Sequence, residues 1–241
     1  RRYGMYVNVF VTAAHPFGFD PKMLRELIEA ARLWQWDNLF AYDIAWEPSW
    51  GQHTTRKRHD EAWRAWIIEQ YGSIENAERD WGYSLPREDG VVTNPTDEQI
   101  LNDGEWRRMV AAYRRFLDDH VNRAYWRVVR FMRTLDDRHL IGVRTGYGGN
   151  GSPWADLWMP YDLLAGAPFL DFVSPEAYSL TENWENFRAG GFITAYARWA
   201  GNGKPVFWAE FGATIYPHTS PERIAYQRNV YEWMYRMVEE S

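Results

Sequence analysis

Two glutamates occupy similar places in the sequence, each after a short apolar run. Residues 39–45 lead to Glu47, and Pro48 then removes a backbone donor and ends the strand. Residues 204–209 lead to Glu210, and a glycine follows two positions later. Two carboxyl groups at strand ends could cleave a glycosidic bond, since one can protonate the leaving oxygen while the other meets the developing oxocarbenium ion.

The elements that must position these glutamates alternate between strand and helix patterns. Strands are predicted at 5–11, before Glu47, at 139–145, at 171–178 and before Glu210. The strand at 5–11 is expected to be buried, because it is rich in β-branched and aromatic residues. Helices are predicted after Asp20 and Pro21, over 105–135 and 184–199, and from Ser220 onward. The last helix should bury Ile224, Val230, Tyr231, Met234 and Met237. This alternation predicts parallel pairing, and the spacing is about one unit of a (β/α)8 barrel.

The predicted fold class is therefore α/β, an incomplete (β/α)8 TIM barrel holding about strands three to seven. Only five strands are convincing where eight are required, so the 241 residues are interpreted as one barrel domain, present as a fragment. A helical insert is predicted at about 51–103, with a loop over 83–94. A small open α/β sheet is the alternative, although no glycine-rich phosphate fingerprint follows the first strand.

Composition narrows the classes of partner. The formal charge of −6 argues against binding to a nucleic acid backbone, and no apolar run is long enough to span a membrane. The absence of cysteine excludes disulfides and thiolate metal sites and leaves the redox compartment open. The chain begins without methionine or an apolar leader, so we expect a signal peptide to be absent or removed. The localisation stays open, with a secreted or periplasmic location among the alternatives.

Aromatic residues are abundant, with 15 Trp and 15 Tyr. Several lie near predicted loop edges, where flat rings suit the apolar faces of sugars. Packing of the core is the alternative explanation for the same residues.

The two glutamate strands resemble strands four and seven of the clan A retaining glycoside hydrolases, the barrel family of cellulases, β-mannanases and many β-galactosidases. In that clan the acid/base glutamate ends strand four, commonly in Asn-Glu-Pro, and the nucleophile ends strand seven. Here Trp46-Glu47-Pro48 and Glu210 stand in those places, and two strands lie between them. The resemblance implies Glu47 as acid/base and Glu210 as nucleophile, with Glu47 protonated at the working pH.

Smaller correspondences extend the resemblance. Glu176 and Tyr178 resemble a His-x-Tyr at the end of strand six, whose tyrosine hydrogen-bonds the nucleophile. His15 resembles a histidine found after strand three, and the segment from Trp63 to Trp81 is similar to an insert of some β-galactosidases. The departure is Trp46, because the asparagine it replaces binds the sugar 2-hydroxyl and an indole cannot both donate and accept.

The candidate substrate-binding residues are Trp46, Trp50, Tyr178, Arg144, Glu176, Trp208, His15 and Tyr147. Alternatives stay open for several of them. Trp208 could point between the sheet and the helices, because strand residues alternate in direction, and Arg144 could pair with Glu176. His53, His59 and Asp60 lack a recurring ligand spacing, so neither a metal nor another cofactor is expected.

The sequence thus predicts a retaining glycoside hydrolase that cleaves β-linked glycosides of an oligosaccharide or polysaccharide. The missing barrel strands would come from the rest of the polypeptide or from a partner chain. A carbohydrate-binding protein derived from such a barrel, without turnover, is the first alternative, and Trp46 motivates it. A structural or interaction domain with aromatics in its core is the second alternative.

Overall fold

The computed structural model of the chain describes residues 4–145, 161–162, 165–177, 183–211 and 220–241. These residues form two compact units. The second unit contains residues 49–123 and Tyr161, and the first unit contains the rest. The second unit thus begins near the predicted insert and extends beyond residue 103, into the long helix.

The described residues contain seven strands and eight α-helices. The strands are β1 (Val7–Phe10), β2 (Leu39–Trp46), β3 (Arg87–Glu88), β4 (Val91–Val92), β5 (Leu140–Thr145), β6 (Ser174–Ala177) and β7 (Glu210–Phe211). The helices are α1 (Pro21–Ala31), α2 (His53–Arg56), α3 (Asp60–Tyr71), α4 (Ile74–Trp81), α5 (Asp97–Leu101), α6 (Arg107–Met132), α7 (Trp184–Ala200) and α8 (Pro221–Glu240). Short 3₁₀ turns lie at Thr12–Ala14, Leu33–Gln35 and Lys57–His59. No helix among the described residues combines the length and apolar composition needed to cross a membrane.

The first unit is built on a five-stranded sheet with the order β1-β2-β5-β6-β7, and every pair in it is parallel. The predicted α/β class with parallel pairing is confirmed. Each new strand joins the same side of the sheet as the chain proceeds. A doubly wound sheet would instead reverse its strand order at a switch point. The observed order is compatible with one arc of a barrel.

The register of this sheet brings four strand ends together at one edge. Trp46 pairs with Arg144, Arg144 pairs with Ser174, and Glu176 pairs with Glu210. The carboxyl ends of parallel strands form the edge where α/β proteins place their ligands.

Two strands differ from their predictions. β1 is an edge strand whose Val7 and Phe10 are 36% and 40% exposed, because only β2 pairs with it among the described residues. β7 is only two residues long, so residues 204–209 do not form the continuous strand that was predicted before Glu210, and an isolated bridge joins Val173 to Val206. Pro205, which lacks an N–H group, interrupts the expected strand.

The helices follow their capping and apolar patterns closely. The Asp20 side chain accepts a hydrogen bond from the Met23 N–H group at 2.9 Å, and Pro21 is the first residue of α1. The apolar residues that recur every three or four positions along α6 form a stripe that is buried throughout: Met109, Val110, Tyr113, Phe116, Leu117, Val121, Ala124, Val128 and Met132.

The prediction for α8 was partly wrong. Val230, Met234 and Met237 are buried against Phe187 of α7, as expected for the inward face. The side chains of Ile224 and Tyr231, which we expected to face inward, are exposed.

The second unit is a helical cluster around tryptophans. Trp63 stacks on Trp81, with ring centroids 6.0 Å apart and ring planes inclined by 4°, and it also stacks on Trp66. The predicted loop at 83–94 instead contains the antiparallel hairpin of β3 and β4. Its turn residues, Asp89 and Gly90, have φ angles of 49° and 80°, as a tight type I′ hairpin turn requires.

Candidate active site

Glu47 follows β2 in a strained backbone conformation. Its φ angle is 43°, a left-handed value that costs a residue other than glycine about 1–3 kcal/mol. The pairing of β2 with β5 shifts between Asp43 and Trp46, and the Glu47 N–H group donates to the Arg144 carbonyl at 3.0 Å. The bulged strand end therefore fixes the direction of the Glu47 side chain, and such strain is concentrated at functional sites.

Three carboxyl groups meet at this edge of the sheet. One carboxylate oxygen from each of Glu47, Glu176 and Glu210 lies within 4.8 Å of the others. Glu176 is fully buried, whereas Glu47 and Glu210 are half-buried. Glu47 and Glu210, which the sequence analysis singled out, are thus neighbours at this edge of the sheet.

Arg144 binds two carboxylates at once. Its Nε group donates to Asp43, and its Nη1 group donates to Glu210 Oε1 at 2.5 Å. The guanidinium also lies 5.3 Å from the Trp46 ring centroid and 5.4 Å from that of Phe10, within the range of cation–π contacts. The hydrogen bonds described for Arg144 thus go to Asp43 and Glu210, and not to Glu176.

Burial and charge shift the pKa values of this group in opposite directions. Burial alone would lower the pKa of Arg144, but the negative charges of Asp43, Glu210 and Glu176 outweigh it and raise that pKa. Burial raises the pKa of Asp43, and Arg144 offsets part of the rise. Burial, with a Glu47 hydrogen bond and the charges of Glu210 and Glu47, raises the pKa of Glu176 to about 9.

The spacing of the carboxyl groups limits the chemistry they can perform. Retaining cleavage needs two carboxyl groups roughly 5–5.5 Å apart, whereas inversion needs roughly 6.5–9.5 Å to admit a water. One oxygen of Glu47 and one of Glu210 lie within 4.8 Å of each other, a distance shorter than the range that inversion needs. Three carboxylates are also the ligand type of a hard cation, but the Arg144 guanidinium already neutralises Glu210, so we assign no metal to the cluster.

Two predicted substrate-binding residues lie in other surroundings, and a third, His15, makes a local hydrogen bond. Trp50 is 2% exposed in the core of the second unit, with its ring centroid 4.4 Å from that of Tyr161, so its faces are closed to a sugar and the stacking prediction is wrong. The Trp208 indole donates to Thr194 Oγ1 at 3.0 Å and packs on the core between α7 and α8, which was its alternative orientation. His15 accepts a local hydrogen bond from the Phe17 N–H group.

Trp46 keeps an open face, because its side chain is 55% exposed beside Arg144. Tyr147 and Tyr178 lie outside the described residues, so their predicted roles stay predictions. The sequence reasoning missed Asp43 and Phe10. A usable signal for Asp43 existed, since a charged residue four positions before Glu47 in an apolar strand must be paired if it is buried.

Comparison with known proteins shows that the fold of this chain is similar to parts of several solved structures. No family model and no curated protein matches the chain. A β-galactosidase from Bacillus circulans sp. alkalophilus aligns over 90% of this chain and 32% of its own, with a TM-score of 0.62 and 17% identity. An exo-β-agarase aligns over 92% and 30%, with a TM-score of 0.61 and 16% identity. A β-galactosidase from Rahnella sp. R3 aligns over 80% and 27%, with a TM-score of 0.56 and 16% identity.

The chain therefore spans less than a third of the length of these three proteins. At such identity the likeness establishes a shared fold alone. The aligned region covers at least 80% of this chain in each of the three comparisons.

Proposed function

We propose that this chain carries the catalytic glutamates of a retaining glycoside hydrolase that cleaves β-linked glycosides. The observation that carries the proposal is the meeting of Glu47 and Glu210 at the carboxyl edge of a parallel sheet, with Arg144 bound to Glu210. The likeness in fold to β-galactosidases and agarases supports the same class of reaction.

The five strands are then one arc of a (β/α)8 barrel. Their sequential order supports this, since β2 would be strand four and β7 strand seven. The strands that close the barrel would be supplied by the rest of the polypeptide or by a partner chain. The active edge of such a barrel is the one that carries Glu47, Glu176 and Glu210.

In the first chemical step, Glu47 gives its proton to the glycosidic oxygen while the bond from that oxygen to the anomeric carbon breaks. A carboxylate oxygen of Glu210 forms a bond to the same carbon, giving a covalent glycosyl-enzyme. Arg144 holds Glu210 as a carboxylate in position through its charged hydrogen bond.

In the second step, Glu47 is a carboxylate and takes a proton from water. The water oxygen bonds to the anomeric carbon, and the bond to Glu210 breaks, so the configuration of the sugar is retained. Only Glu47 exchanges a proton in these two steps, because Glu210 forms and breaks a bond to carbon and stays unprotonated.

We propose a β-galactoside as the substrate class, because the neighbours by fold are β-galactosidases and agarases. The exposed face of Trp46 is placed to stack on a sugar beside the glutamates. Arg144, a neighbour of that ring, would then contact the same sugar.

The test uses the intact protein and an aryl β-galactoside with a nitrophenol leaving group. Glu210→Ala should lose about 10⁴-fold or more in turnover, as expected for removal of a nucleophile. Glu47→Ala should keep the glycosylation of activated substrates and recover deglycosylation when azide is added, because azide needs no general base. Glu185→Ala is the control, since Glu185 is an exposed partner of Arg188 on α7.

Full turnover by both glutamate variants would refute the assignment. Binding of galactans by the intact protein with no hydrolysis would favour the carbohydrate-binding alternative.

A further inference from the structure

Glu176 is the one fully buried carboxyl group of the three glutamates. Its side chain is 0% exposed, and as long as Glu176 and Glu47 are both ionised neither of its oxygens has a hydrogen-bond donor among the described residues. Arg144 lies close enough for its positive charge to act on Glu176, but it directs its described side-chain hydrogen bonds to Asp43 and Glu210. Glu176 therefore lies buried beside two other carboxyl groups without a bonded counter-ion.

A buried carboxylate without a donor is costly, because its charge loses hydration and gains nothing in exchange. The cost is greater here, since Glu47 and Glu210 bring further negative charge within 4.8 Å. A proton on Glu176 removes both penalties. It also converts an oxygen of Glu176 into a donor, and the acceptors within reach are carboxylate oxygens.

We propose that Glu176 is a protonated positioning residue that donates a hydrogen bond to Glu47. The proposal rests on the proposed function, because it assigns Glu176 a part in the proton transfer made by Glu47. Geometry favours Glu47 over Glu210 as the acceptor, since Glu210 is already bound to Arg144. A neutral carboxylic acid held in an apolar site can serve as such a donor at neutral pH.

Glu176 acts when charge appears on Glu47. As Glu47 passes its proton to the leaving oxygen, it becomes a carboxylate, and the hydrogen bond from Glu176 then becomes charge-assisted and stronger. Glu176 keeps its own proton throughout, so the catalytic cycle stays balanced. The same bond orients the Glu47 carboxylate toward water in the second step.

The charged groups that face Glu176 in the described residues are Glu47 after β2, Arg144 on β5 and Glu210 on β7, with Asp43 behind Arg144. Burial raises the pKa of Glu176 to about 9, and the hydrogen bond and the negative charges of Glu47 and Glu210 add to the rise. At neutral pH the group is therefore neutral, as the proposed donor requires.

The first test is infrared spectroscopy of the intact protein, which needs no turnover. Between pH 6 and pH 8 the protein should absorb in the C=O stretch region of protonated carboxylic acids. Glu176→Gln should remove the part of that absorption that belongs to Glu176, even though Glu47 contributes when it carries its proton, whereas the control Glu185→Gln should leave the absorption unchanged. A spectrum in which Glu176→Gln removes only carboxylate bands would overturn the proposal. This readout is independent of whether Glu47 and Glu210 cleave glycosides.

The second test separates positioning from structure by leaving-group dependence. Glu176→Leu should slow glycosylation about 10- to 100-fold for aryl β-galactosides with poorly acidic leaving groups, and much less for 2,4-dinitrophenyl β-galactoside, because only the former need the Glu47 proton. Glu176→Gln, which keeps a donor, should recover most of that loss. An equal loss for every leaving group, or no recovery by glutamine, would overturn the role for Glu176 while leaving the glutamate pair intact.

Discussion

Arg144 is the residue on which the charges of the site depend, since its single positive charge forms ion pairs with both Asp43 and Glu210. Arg144→Met should destabilise the protein by about 3 kcal/mol, because it leaves the buried Asp43 carboxylate unpaired. Urea unfolding at pH 7 measures the loss. Adding Asp43→Asn should restore a substantial part of it, as the unpaired charge is then gone. Equal stabilities for the single and the double variant would contradict this view of the pair.

Glu176 should give the folding equilibrium its own pH dependence. Its pKa rises from 4.5 to about 9 on folding, so between these values the folded chain keeps a proton that the unfolded chain has released. The free energy of unfolding should therefore fall as pH rises through this window, by up to roughly 1.4 kcal/mol per pH unit. The contribution of Glu176 is isolated by measuring the free energy of unfolding of the parent protein and of Glu176→Gln from pH 4 to pH 9 and comparing the two. A difference that does not change with pH would show that Glu176 is ionised in the folded protein.

For individual residues, the sequence revealed the two glutamates but not the residues that surround and bind them. Glu47 and Glu210 are recognisable because each follows an apolar run, and a strand end places a side chain at an edge of the sheet. The partners of Arg144 depend on register across three strands, which local patterns do not encode. The strain at Glu47 arises from the bulge in β2, and that shift also has no local signature.

Among the elements, β5 packs closely against a buried aromatic ring because it has a glycine, Gly142, at the point of contact. A Cβ atom on Gly142 would lie 2.1 Å from the ring of Phe172, which is buried beside it. Gly142→Ala should cost about 1–3 kcal/mol, since the ring must move within a packed core. Gly18→Ala is the matched control, because the nearest neighbour of its added Cβ atom would be 3.9 Å away, and it should leave stability unchanged or raise it by up to about 1 kcal/mol. If thermal unfolding gave the same stability for Gly142→Ala and Gly18→Ala, the close approach of Gly142 to the Phe172 ring would be refuted.

Helices were the elements best predicted from the sequence. The α6 stripe is buried over its full length, since a 26-residue pattern leaves no doubt about its period. On α8 the predicted inward face included two residues too many, because the side chains of Ile224 and Tyr231 are exposed although they are largely apolar. The β3–β4 hairpin was missed although Asp89-Gly90 is a strong turn signal, as its flanking runs are too short to alternate clearly.

At the scale of the whole molecule, the first unit leaves large apolar side chains uncovered. Tyr6 beside β1 is 73% exposed, and Phe192 and Trp199 on α7 are 73% and 77% exposed. The 241-residue chain, produced by itself, should therefore self-associate and bind a hydrophobic dye. Sedimentation across a concentration series measures this, and Phe192→Ser with Trp199→Ser should reduce it. A chain that stays monomeric at about 100 μM without dye binding would contradict the expectation.

The overall class was within reach of the sequence, because strands that alternate with helices predict parallel pairing. The count of five strands was also correct for the sheet that the structure describes. The division into two units was less accessible, since the boundary lies inside α6. A continuous helical pattern gives no sign of where its packing partners change.

The central claim is that Glu210 attacks the sugar while Glu47 manages the proton. The most direct measurement is to incubate the intact protein with 2,4-dinitrophenyl 2-deoxy-2-fluoro-β-galactoside, digest it and locate the added sugar by mass spectrometry. The slow second step should trap a 2-fluorogalactosyl ester on Glu210, and Glu47→Gln should still form it. A label on another residue, or steady hydrolysis of β-galactosides with no trapped ester, would contradict the account.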